Sequence, residues 1–74
     1  MREEVLKVLK SVRSDVDYEN EKELVDGGIL DSFDIIGITS ELCDAFNVDI
    51  SVDDLEPENF NTLDAIVKLV ESLQ

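Results

Sequence analysis

Histidine and tryptophan are absent from this 74-residue sequence, and cysteine, methionine, tyrosine and proline occur once each. Without histidine there is no base to complete a Ser-His triad or a Cys-His pair, and no partner for a Cys/His zinc cluster. Cys43 alone cannot form an internal disulfide, so the chain suits a reducing compartment. No apolar run approaches the roughly 18 residues of a membrane span, and the opening MREEVLKVLKS lacks the apolar block of a secretion signal. A cytoplasmic protein without a transmembrane segment is expected.

Basic residues are also scarce. Six stand against 19 acidic ones, giving a formal charge of −13. Such a surface repels a phosphate backbone and an anionic membrane, which argues against a nucleic-acid role. Arg2, Lys7, Lys10, Arg13 and Lys22 fall in the first third, and only Lys68 follows. Asp31 to Glu58 is free of positive side chains. This negative field either serves solubility or attracts basic partner surfaces.

What is present is apolar periodicity. A chain of this length forms one domain, 1–74, with a single modest core and no room for a deep interlobe site. Val5, Leu6, Val8, Leu9 and Val12 recur at helical spacing, predicting a first helix from Arg2 to about Ser14. A long connection follows, in which Leu24, Val25, Ile29 and Leu30 flank Gly27 and Gly28. The glycines permit sharp turns and the aliphatic pairs allow the loop to fold back on the core.

SFDIIGITSELCDAF predicts a second helix from about Ser32 to Phe46, with Asn47 as a left-handed cap. Stepping about 100° per residue from Phe33 collects Ile35, Ile36, Ile38, Leu42, Cys43 and Phe46 in one broad arc. Asp34, Gly37, Glu41 and Asp44 fall opposite. Ser51 before Asp53 and Asp54 marks a helix start, and Pro57 limits any helix there to about one turn. A last helix begins near Asn61 or Thr62, its inward stripe formed by Leu63, Ile66, Val67, Val70 and Leu73. The expected fold is all-α: a four-helix bundle of three long helices and one short one, with a long loop between helices one and two.

No residue set forms a self-contained active site. Ser32 lacks a base, the paired carboxylates lack an evident pocket to separate their pKa values, and the acidic loops lack the ligand spacing and turning glycine of an EF-hand. Cys43 is most simply a small buried hydrophobe. The segment DGGILDSFDII is more specific, because it places a serine at a helix start directly after a Gly-Gly corner and Asp31. Physically, Ser32 reads as an N-cap whose hydroxyl accepts from a free backbone N–H. A hydroxyl so placed is equally suited to modification by another enzyme.

DSF at Asp31, Ser32 and Phe33 resembles the Asp-Ser-Leu attachment motif of the phosphopantetheine-binding carriers, the acyl, aminoacyl, peptidyl and D-alanyl carrier proteins. Leu42, Phe46, Val48 and Ile50 are similar to the pattern that closes that family's second helix, and NFNTLDAIVKLVESL resembles its last helix. The resemblance implies that Ser32 bears a covalent 4′-phosphopantetheine arm whose thiol holds cargo as a thioester, with Asp31 as flanking carboxylate. It further implies partner contacts at Phe33, Asp34, Gly37, Glu41 and Asp44. The implied partners are a phosphopantetheinyl transferase, an acyl- or aminoacyl-activating ligase, and acyltransferases or condensing enzymes acting on a monomeric, non-catalytic carrier.

Fatty-acid, polyketide or related metabolism would supply the cargo of an acyl carrier. Phe33 in place of the common leucine, the preceding Gly-Ile-Leu and FNT before the last helix resemble D-alanine carriers and some stand-alone acyl carriers. Gly37 departs from the side chain, often acidic, usual in the family. A D-alanyl or other aminoacyl or peptidyl carrier is one alternative, and an acidic interaction module without any prosthetic group is the other.

Overall fold

A computed structural model describes residues 1–74 and is helical throughout its regular elements. In chain order these are α1 (Arg2–Val12), α2 (Ser32–Phe46), a single 3-10 turn (Val52–Asp54), α3 (Pro57–Phe60) and α4 (Leu63–Leu73). The all-α arrangement of three long helices and one short one is as expected. Helix α1 is shorter than its periodicity suggests. Arg13 leaves the helix in extended conformation (φ −136°, ψ 99°) while its N–H still donates to Leu9 O.

Local chemistry fixes each boundary. Asn47 closes α2 in the left-handed region (φ 53°), its N–H donating to Cys43 O. Ser51 caps only the 3-10 turn, in a reciprocal pairing with Asp54. Pro57 follows as the first residue of α3, where its missing N–H leaves no helical bond unmade. The Thr62 hydroxyl accepts from Ala65 N at 3.0 Å and starts α4.

The core gathers one face of each long helix: Val5 and Leu9 from α1, Ile35, Ile38 and Leu42 from α2, and Leu63, Ile66, Leu69 and Val70 from α4. Leu69 joins this stripe although the expected set omits it, while Val67 and Leu73 pack only partly against it. The loop between α1 and α2 adds Val16, Tyr18, Leu24 and Leu30, all buried. Tyr18 spans the loop's start, donating its hydroxyl to Leu9 O at 3.0 Å and Arg13 O at 2.8 Å. Burial pushes its pKa up to about 12, because the phenolate would lose water without a compensating donor.

Two glycines shape the end of this loop. A Cβ on Gly27 would lie 2.5 Å from Glu23 O, and Gly28 has φ +77°. Both conformations resist a side chain, and together they turn the chain into Leu30 and the start of α2. Helix α2 packs chiefly on α1, and α3 on α4. A cleft consequently separates α2 from α3.

Candidate functional site

Helix α2 begins with a reciprocal cap made by two aspartates. Asp31, in extended conformation, precedes the helix, and its Oδ1 accepts from Asp34 N at 2.8 Å. In return Asp34 Oδ2 accepts from Asp31 N at 3.2 Å. Ser32 is therefore not the N-cap expected from its hydroxyl; it is the first helical residue, one position too late for that role. The longer reach and full charge of the Asp31 carboxylate secure the cap, and the exposed Ser32 side chain takes no part in it.

Asp34 does not stand free on an acidic surface. Its side chain is 18% exposed, and Oδ2 also accepts from Arg13 Nη1 at 2.7 Å. Arg13 holds Asp15 with two further bonds of 2.9 Å, from Nε to Oδ1 and from Nη2 to Oδ2. Hydrogen bonding to Asp15 first, then to Asp34, drives the guanidinium pKa above its ordinary value. The same contact with Arg13 holds Asp15 below the usual carboxylate range.

On the other flank of Ser32 lies the cleft, with a volume of about 290 Å³. Val25, Leu30, Ile35, Ile36, Leu55 and Phe60 provide its apolar lining, and Asp31, Ser32, Glu56 and Pro57 complete it. Glu56 is raised above the ordinary carboxyl range by hydrogen bonding of its protonated form with Glu58 and by repulsion from Glu58, Asp53 and Asp54. The cleft is thus apolar inside and crowded with negative charge beside α3.

The outward face of α2 is partly apolar. Phe33 is 84% and Ile36 62% exposed, and Ser40, Glu41 and Asp44 are exposed with them. This corrects the broad apolar arc read from the sequence, which counted Ile36 with the core. At about 100° per residue, Ile36 stands roughly 120° from Leu42, the middle of the buried face, too far to join it. That rotation was the available signal for Ile36.

Gly37 turns away from the outward face toward α1, where a Cβ would meet Val12 Cγ1 at an ordinary 3.6 Å. Cys43 is half-buried, and its Sγ accepts from Ile50 N at 3.4 Å, which accords with a packing role. Sequence reasoning also missed Arg13, whose lone charge after a run of α1 aliphatics carried no motif. The cleft residues Leu55 and Phe60 had no local signature either, since they meet α2 only through the tertiary fold.

A protein-family model described as "Phosphopantetheine attachment site" matches residues 1–70. No solved structure matches the chain.

Proposed function

Because the chain belongs to the phosphopantetheine attachment-site family, carriers that hold 4′-phosphopantetheine covalently, we propose that Ser32 is where this chain bears the arm. One observation carries the reading. Ser32 sits exposed on the first turn of α2 with its hydroxyl uncommitted, because Asp31 and Asp34 already satisfy the cap. The surroundings fit the group: the serine stands at an apolar cleft along which a long flexible arm can lie. When bound, the arm supplies a thiol that carries cargo as a thioester.

The chain's own part is placement and recognition. The N-terminus of α2 presents its partial positive charge beside Ser32, which favours a phosphodiester at that oxygen. Asp31 fixes the backbone on which the serine rides and remains an exposed carboxylate for a metal-assisted encounter with the transferase. Phe33 and Ile36 offer an apolar contact, with Glu41 and Asp44 steering basic partner surfaces toward it. Asp34 contributes indirectly, since Arg13 already neutralises it, and Gly37 faces Val12 of α1, off that contact surface.

The carrier works as a cytoplasmic monomer whose cargo is activated, loaded and elongated by separate ligases, acyltransferases and condensing enzymes. A tether keeps the cargo at high effective concentration, so each encounter needs only weak binding. An acyl group of fatty-acid, polyketide or related metabolism is the favoured cargo, because the cleft beside Ser32 is lined chiefly by aliphatic and aromatic groups. An aminoacyl cargo is the second reading, favoured by Asp31 and Glu56, whose carboxylates border the same cleft and would attract an ammonium.

Incubation with coenzyme A and a broad-specificity phosphopantetheinyl transferase tests the attachment. Intact-protein mass should rise by one arm in the wild type and stay unchanged in Ser32→Ala. No gain in the wild type, or an equal gain in the variant, would sink it and leave an acidic interaction module in its place. Mass spectrometry of protein from its native cells, under conditions that preserve thioesters, distinguishes an acyl from an aminoacyl load.

A further inference from the structure

A reciprocal cap normally pairs one neutral hydroxyl with one carboxylate. Here both members are aspartates, so two negative charges are held within a single turn at the start of α2. Their repulsion opposes the geometry that their hydrogen bonds create. The N-terminal partial charge of the helix offsets some of it, and the remainder needs a cation.

Arg13 is that cation. Its Nη1 reaches Asp34 Oδ2 at 2.7 Å, the same oxygen that accepts from Asp31 N, and lies 3.4 Å from Ile29 O. Nε and Nη2 meanwhile grip Asp15, which fixes the direction of the guanidinium plane. The other end of the residue is anchored as well, since Tyr18 donates to Arg13 O. An unbroken series of hydrogen bonds thus runs from Tyr18 through Arg13 and Asp34 to the backbone immediately before Ser32.

We infer that Arg13 is a positioning residue for modification of Ser32, acting through Asp34 to hold the doubly charged cap in register, an inference that rests on attachment at Ser32. Arg13 touches neither the serine nor the incoming group. Its effect is to narrow the orientations of the first turn of α2, so that the Ser32 oxygen meets the transferase already aligned. Misalignment of a reacting oxygen by a fraction of an ångström lowers turnover more than it weakens docking. A lysine keeps the charge but cannot grip Asp15 and Asp34 at once, so it should restore only part of the effect.

Steady-state transfer from coenzyme A to the full-length apo protein tests this, with backbone amide exchange as a readout independent of transfer. Arg13→Gln should lower kcat about tenfold while KM stays within about twofold, and Arg13→Lys should fall between it and wild type. Adding Asp34→Asn to Arg13→Gln should recover part of the lost kcat, because removing one carboxylate relieves the repulsion that Arg13 had offset. Asp15→Asn, which keeps the Arg13–Asp34 bond but loosens the grip that orients the guanidinium, should give a kcat between those of wild type and Arg13→Gln.

In Arg13→Gln the amides of Asp31 and Asp34 should exchange faster while those of α4 keep their protection. An unchanged kcat, a loss confined to KM, failure of Asp34→Asn to restore turnover, or faster exchange extending through α4 would each overturn the inference. Wild-type protein that gains no arm defeats the attachment reading, and this inference with it. Wild-type protein that gains the arm while Arg13→Gln gains it equally fast defeats the role of Arg13 alone.

Discussion

The two flanks of Ser32 are built on opposite principles. Toward α1, Arg13, Asp15, Asp34 and Tyr18 are joined in a run of hydrogen bonds that reaches the backbone of buried Leu9. Toward α3, an apolar cleft opens beside α2, and Phe33, Ile36 and Val52 are exposed without partners in the fold. One flank fixes the serine in space and the other leaves room for the arm proposed at that serine. A carrier needs both, since rigid placement without a free side would bury its cargo, and a free side without placement would leave each partner to find the serine afresh.

Substitutions separate the flanks most clearly through stability. Leu9→Ala, on the packed flank, should cost about 2–5 kcal/mol and leave much of the protein unfolded, as read from urea denaturation. Tyr18→Phe should cost about 1–2 kcal/mol, because two carbonyls lose a shared donor. Phe33→Ala and Ile36→Ala should change stability by about 0.5 kcal/mol or less while slowing arm transfer. If either exposed substitution destabilised the fold as much as Tyr18→Phe, the contrast between the flanks would collapse.

The flanks should also respond differently to pH and salt. Tyr18 ionises near 10 when unfolded and near 12 when folded, so its contribution is complete below pH 10 and declines as pH rises from 10 to 12. The loss should total on the order of 2–3 kcal/mol, and Tyr18→Phe should lack that part of the alkaline limb in a pH series of melting curves. Asp15 has the opposite sign: its folded pKa is depressed, so its stabilisation holds above the unfolded pKa and disappears as pH falls through the folded one.

Glu56 belongs to the open flank, and its raised pKa means that protonation relieves crowding with Glu58, Asp53 and Asp54. Its stabilising contribution is therefore present below its unfolded pKa and lost as pH rises through the folded one. Added salt should do part of the same work, raising the melting temperature by a few degrees, roughly, between about 20 and 300 mM. Glu56→Gln should shrink that salt response, the smallest of the expected effects.

Periodicity made most of the helical frame legible. The limits of α2, its left-handed close at Asn47 and the start of α4 at Thr62 all follow from local rules that the fold does not override. The family was legible through the motif around Ser32, and the exposure of that serine through its place at a helix start. Its partners were not. Choosing between Ser32 and Asp31 as the cap depends on a one-residue phase, and helix boundaries are least certain at that scale. The pairing of Asp34 with Arg13 crosses 21 residues of sequence, and nothing local distinguishes Arg13 from a solvated charge. Ile36 was misplaced because an aliphatic residue on a helix is usually core, whereas here it stands beyond the edge of the buried face.

The loop that leads into Ser32 is tied to a residue far downstream. Asn61 Oδ1 accepts from Val25 N and Asp26 N at 3.0 Å each, Nδ2 donates to Asp26, and its carbonyl accepts from Leu24 N. Contacts of such separation close late, after local helices have formed. As the chain leaves the ribosome, α1 and α2 are therefore synthesised before their connection can be fastened. The backbone leading into the serine should reach its final order only when residue 61 has emerged, late in the synthesis of residues 1–74.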